Sequence, residues 1–117
     1  MFYQCAHFDL VELVSPAIWQ QFGEEAWMFF NPLALQALEG VREFFGVPVL
    51  VNNWKAGGKF QERGFRSKFS GVGGSFSQHR LGNAFDCDVK GISATEVRAQ
   101  ILANKDDPRL ANINALE

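Results

Sequence analysis

The 117-residue chain is poor in cysteine and histidine and has almost no excess of charge. Its two cysteines, Cys5 and Cys87, lie far apart and form no Cys-x-x-Cys pair. That excludes a disulfide framework and a thiolate zinc site, and leaves two free thiols expected in the interior. A formal net charge of -2 supplies no basic field, which disfavours a protein that grips nucleic acid mainly through its phosphates. No apolar run approaches the roughly 20 residues needed to cross a bilayer. Met1 to Cys5 also lack the basic segment and apolar core of a secretion signal. The expectation is a soluble, unprocessed chain, cytoplasmic at synthesis, with neither a membrane nor a nucleic-acid partner; nothing in it bears on oligomeric state. No repeat or low-complexity segment interrupts residues 1–117, so one domain is expected.

Phenylalanine and glycine are abundant, with twelve Phe and eleven Gly. Most of the aromatic side chains are expected in the core or in a pocket wall. Ser15-Pro16 and Asn31-Pro32 each join a capping residue to a proline that tolerates the first helical position, marking two helix starts. Leu35, Leu38, Val41 and Phe45 keep helical spacing and Gly46 follows as a stop, which predicts a helix over 32–45. Beyond residue 46 the pattern shifts to short apolar runs between glycines. Val47-Pro48-Val49-Leu50-Val51 predicts a buried strand leading into Asn52-Asn53-Trp54. Residues 57–74 hold six glycines mixed with Lys59, Arg63, Arg66 and Lys68, the composition of a functional loop. From Ala84 to Val89 the residues alternate, with Phe85, Cys87 and Val89 on one face and Asp86 and Asp88 on the other. Ser93-Ala94-Thr95-Glu96 is a capping box that predicts a helix over 94–103, and Asp107-Pro108 breaks the pattern. Residues 113–117 are suited to begin a further strand. The fold class expected is α+β, with N-terminal helices packed on a small, mainly antiparallel sheet.

The segment from Ser77 to Asp86 puts an imidazole, His79, on a glycine-containing turn and a carboxylate, Asp86, on the outer face of a strand seven residues later. Both are zinc-compatible donors, and a catalytic zinc site takes three protein ligands with one position open. Gly82 permits the tight turn between them, and the small Ala84 leaves room beside an ion. The pattern Ser-x-His-x-x-Gly-x-Ala-x-Asp, carried by Ser77, His79, Gly82, Ala84 and Asp86, resembles that of the zinc D-alanyl-D-alanine carboxypeptidases. That family includes phage L-alanyl-D-glutamate endolysins, vancomycin-resistance dipeptidases and, more distantly, the Hedgehog signalling domain. Upstream, Gly64-Phe65-Arg66-Ser67 is similar to the family's Gly-Tyr-Arg-Ser segment, and a looser likeness runs from about Leu10 to Ala103. The resemblance implies Zn2+ held by His79 and Asp86, and Arg66 placed at the substrate carbonyl or at the oxyanion formed from it. It implies peptidoglycan stem or cross-link peptides as partners; Ser77 is expected either to stabilise the turn through its hydroxyl or to support the site and touch substrate. A lysin of this kind needs no signal peptide, since a holin gives it access to the wall.

The chain departs from that family in two respects. Members of the family carry a third ligand, a histidine in a Trp-x-His or His-x-Asp segment downstream, with an acidic general base nearby. Neither is present. His7 is the only other histidine, stands where the family has no ligand, and is expected to be a helix-start or surface residue. Glu117 is terminal and is not expected to act as the base. The expectation is therefore that the last part of the domain lies outside these residues and that the chain alone is inactive or nearly so. Two other readings compete: a non-catalytic wall-binding or phage structural module of the same fold, and a local nucleic-acid contact over 55–68 with Phe60, Phe65 and Phe69 as stacking rings.

Overall fold

The computed structural model describes residues 3–67, 70, 77–114 and 116. After an irregular start and a short 3-10 turn, Leu10–Glu12, helix α1 runs over Pro16–Phe22; the Ser15 hydroxyl caps it, accepting from the Ile18 amide at 3.3 Å. A 3-10 stretch, Gly23–Phe29, then leads into α2, Pro32–Phe45. Asn31 Oδ1 accepts from the Leu33 amide at 3.0 Å, and Gly46 closes α2 in the left-handed conformation with φ 67°. Both ends of α2 lie where the capping chemistry predicts. The same holds for α3, Ala94–Ala103, capped by Ser93.

The sheet is smaller than the apolar runs suggested. Strand β1, Val49–Leu50, pairs antiparallel with β2, Asp88–Val89, in the register Val49 to Val89 and Leu50 to Asp88. The physical reason lies just beyond each strand. Asn52 spends its backbone N–H on the Glu12 carbonyl (2.8 Å), and Asp86 spends its own on the Arg63 carbonyl (2.7 Å), so the ladder hands over to loops. The inward and outward alternation holds nevertheless: Val89 is buried, Phe85 and Cys87 pack against the core, and Asp86 and Asp88 are exposed. The class is α+β, with three α-helices and a two-stranded antiparallel sheet among the described residues.

The core joins the N-terminal turn, α1, α2 and both strands through Leu13, Val14, Ile18, Trp27, Leu35, Val49 and Val89. Cys5 and Cys87 are free and half-buried. Residues 113, 114 and 116 form no strand; Ala115 and Glu117 lie outside the described residues, as do Lys68, Phe69 and 71–76.

Candidate functional site

Residues 62–66 form a strip that gathers the predicted site. Gly64 lies so close to the Leu13 carbonyl that a Cβ would collide with its oxygen, and the Phe65 amide donates to that same oxygen at 3.0 Å. Along the strip, the Arg63 carbonyl accepts from the Asp86 amide, and the Arg66 amide donates to the His79 carbonyl at 3.2 Å. Aromatic stacking fixes the same two segments to the helical half. Phe65 stacks on Phe29 with centroids 4.9 Å apart, and Phe85 on Phe30 at 5.6 Å. Each ring is followed by a candidate site residue, Arg66 or Asp86, so anchoring the ring places its neighbour.

His79 sits on a 3-10 turn, Gln78–Leu81, whose first N–H groups would otherwise lack acceptors. The Ser77 hydroxyl accepts from the His79 amide at 3.3 Å, and Gly82 ends the turn at φ 71°, with no room for a Cβ against the Phe29 carbonyl. Ser77 is thus a turn cap, and Gly82 is required both by its dihedral and by the close approach.

The imidazole is held from behind. His79 Nδ1 lies 2.9 Å from the Gly64 carbonyl oxygen, which can only accept, so in the neutral ring Nδ1 carries the proton and Nε2 bears the lone pair. Nε2 faces Asp86 Oδ2 at 3.6 Å. Two acceptors opposed across such a gap are relieved by a cation between them, a proton or a metal ion. The separation is close to the ~3.3 Å spanned by two ligand atoms of a tetrahedral zinc ion with bonds of about 2.0–2.1 Å. A backbone carbonyl behind a histidine is also the usual means of orienting a metal ligand. The pair supplies two donors of types that a metal ion accepts, fewer than the three protein ligands of a catalytic zinc site.

Arg66 completes the group. Its Nη2 donates to the same Asp86 oxygen at 3.1 Å and its Nε to the Glu62 carbonyl at 2.8 Å, which fixes the guanidinium plane. His79, Asp86, Arg66 and the Ser77 cap are therefore brought together. No family model, curated protein or solved structure matches the chain.

Among the described residues, the one His, Cys, Asp and Glu group with three donors close enough to hold a metal ion lies elsewhere: His7, Glu39 and Glu43. His7 is an exposed residue, as expected, and it also has a buried partner. Its Nδ1 lies 3.0 Å from Glu39 Oε2, and Glu39, on α2, is only 6% exposed. The Glu39 oxygens also accept from the amides of Ala6 at 3.1 Å and His7 at 2.8 Å. These donors already satisfy the carboxylate, so the group works as a clamp between the N-terminal segment and α2. Within the basic stretch, two described side chains have partners of their own, Arg63 and Arg66. Arg63 pairs with Asp88 at 3.0 Å and lies 4.3 Å over the Phe60 ring, while Phe65 belongs to the core stack.

An open recess of about 350 Å³ lies beside Arg66, lined by Lys59, Phe60, Gln61, Glu62 and Arg63.

Proposed function

We propose that the chain is the zinc-binding part of a metallopeptidase that cleaves peptidoglycan stem or cross-link peptides at a D-amino acid, as a carboxypeptidase or an endopeptidase of phage or prophage type. The observation that carries the reading is the His79 and Asp86 pair, two acceptors facing one another at 3.6 Å with the imidazole tautomer set by the Gly64 carbonyl. The substrate class comes from the motif resemblance over 64–67 and 77–86.

His79 Nε2 and Asp86 would hold the ion. Zinc, when bound, supplies Lewis acidity and activates water near neutral pH. Arg66 is held at Glu62 and Asp86 by two of its five donors. It offers fixed positive charge where a carbonyl oxygen becomes anionic, and fixed donors need no reorganisation as that charge develops. The recess bordered by Lys59, Phe60 and Arg63 is the nearest surface on which a peptide can lie beside Arg66. Ser77 acts on His79 by capping its turn.

A second reading, a non-catalytic wall-binding or phage structural module, is favoured by one observation: among the described residues no group of three donors includes His79 and Asp86. Metal analysis after dialysis, with calorimetry, separates the two. The metallopeptidase reading expects the wild type to retain zinc and both His79→Ala and Asp86→Ala to lose it. A wild type that binds peptidoglycan peptides with no affinity for zinc supports the module instead.

A further inference from the structure

We infer that Asn52 is a positioning residue for the His79 and Asp86 pair, acting from the core through the strip at 62–66; the inference rests on the metal-site reading above. Asn52 is 1% exposed, and no charge or ligand accounts for an amide buried so deeply. Both ends of that amide are used. Nδ2 donates to the Val14 carbonyl at 3.0 Å, and Oδ1 accepts from the Arg63 amide at 2.9 Å.

Arg63 is the point where the strip meets the site. Its amide is held by Asn52, its carbonyl accepts from the Asp86 amide at 2.7 Å, and the next carbonyl, that of Gly64, accepts from His79 Nδ1 at 2.9 Å. The side chain of Asn52 is therefore one hydrogen bond from Arg63, whose own carbonyl, in the next peptide unit, seats Asp86, and one residue further from the Gly64 carbonyl that sets the imidazole tautomer. Removing it leaves the Arg63 amide without its acceptor and frees the strip to shift, and a shift of a few tenths of an ångström alters a geometry that metal ligands need to within about 0.2 Å.

Trp54 supplies the control. Its Nε1 donates to the same Val14 carbonyl at 2.8 Å and has no hydrogen bond to the strip. A role in stability alone makes Asn52 and Trp54 equivalent; a positioning role separates them.

The experiment uses Asn52→Ala, the milder Asn52→Ser and Trp54→Phe. The first readout is the tautomer of His79 in the metal-free protein, from long-range nitrogen–proton correlations of the imidazole at a pH where the ring is neutral. The second is zinc affinity by calorimetry. Expected are a ring held as the Nδ1–H tautomer in the wild type and in Trp54→Phe, a mixture of tautomers in both Asn52 variants, and a roughly 10-fold weaker zinc affinity in those variants alone. Unchanged tautomer populations in the Asn52 variants, or equal shifts in Trp54→Phe, overturn the inference. If neither Asn52 variant folds, amide exchange of the wild type decides: an Arg63 amide protected as strongly as the core supports the link, and one that exchanges like an open loop refutes it. The tautomer and exchange readouts need no metal, so an absence of zinc binding in the wild type defeats the metallopeptidase reading while the positioning role is still judged.

Discussion

Cys5 lies beside the Glu39 carboxylate, and its ionisation places a second negative charge there. Burial, reinforced by Glu39, pushes the Cys5 thiol up to about 12 from its ordinary 9.0. The folded protein therefore holds this proton more tightly than the unfolded chain does. The resulting stabilisation is complete below pH 9.0 and is lost as the pH rises towards about 12. Denaturant midpoints are expected to fall across that window, and Cys5→Ser is expected to flatten part of the fall. Burial raises Cys87 as well, so a residual slope remains in that variant. Glu39 itself left a trace in the sequence that patterning by hydrophobicity overlooks: it stands four residues after Leu35 and next to Leu38, on the apolar stripe of α2. A carboxylate on such a stripe needs donors, and these come from the N-terminal segment.

The elements divide by how locally they are determined. The limits of α2 and α3 were legible because each depends on a cap, a first-turn residue and a stop that are neighbours in sequence. Asn31 shows what one cap contributes. Its Oδ1 satisfies the Leu33 amide, and Asn31→Ala is expected to lower stability by about 1 kcal/mol in urea titrations, leaving α2 in place with a frayed first turn. Its backbone amide also donates to the Gly82 carbonyl at 3.0 Å, which ties the start of α2 to the end of the His79 turn. The strands were less legible. Their apolar runs were readable, yet the partners of Asn52 and Asp86 are loop carbonyls distant in sequence, and no periodicity encodes a pairing of that kind. The His79 and Asp86 motif was readable as residue types at a spacing, whereas the Gly64 carbonyl behind the imidazole and the Asn52 amide beneath it needed the fold.

At the scale of the molecule, the N-terminal segment is fastened at two separate places, by Glu39 and by donors on Asn52, Trp54 and Phe65. Glu39→Ala removes the acceptor for the amides of Ala6 and His7, and its expected effect is a loss of about 1–3 kcal/mol with faster amide exchange at those two residues. Exchange at 63–66 is expected to stay unchanged, and hydrogen-exchange mass spectrometry reads both regions at once. Acceleration in both regions would instead mean that the two fastenings act as one unit. The second fastening uses three consecutive backbone carbonyls. Glu12 accepts from the Asn52 amide, Leu13 from the Phe65 amide, and Val14 from both the Asn52 side chain and the Trp54 indole. Every amino acid carries a carbonyl, so this rail asks only for apolar side chains at the buried positions 13 and 14 and prescribes no identity there. Substitution can erase its sequence signature while the rail persists. Insertion of a single residue would carry all three acceptors out of step with their donors on Asn52, Trp54 and Phe65, so the segment is tolerant of drift in composition and intolerant of change in length.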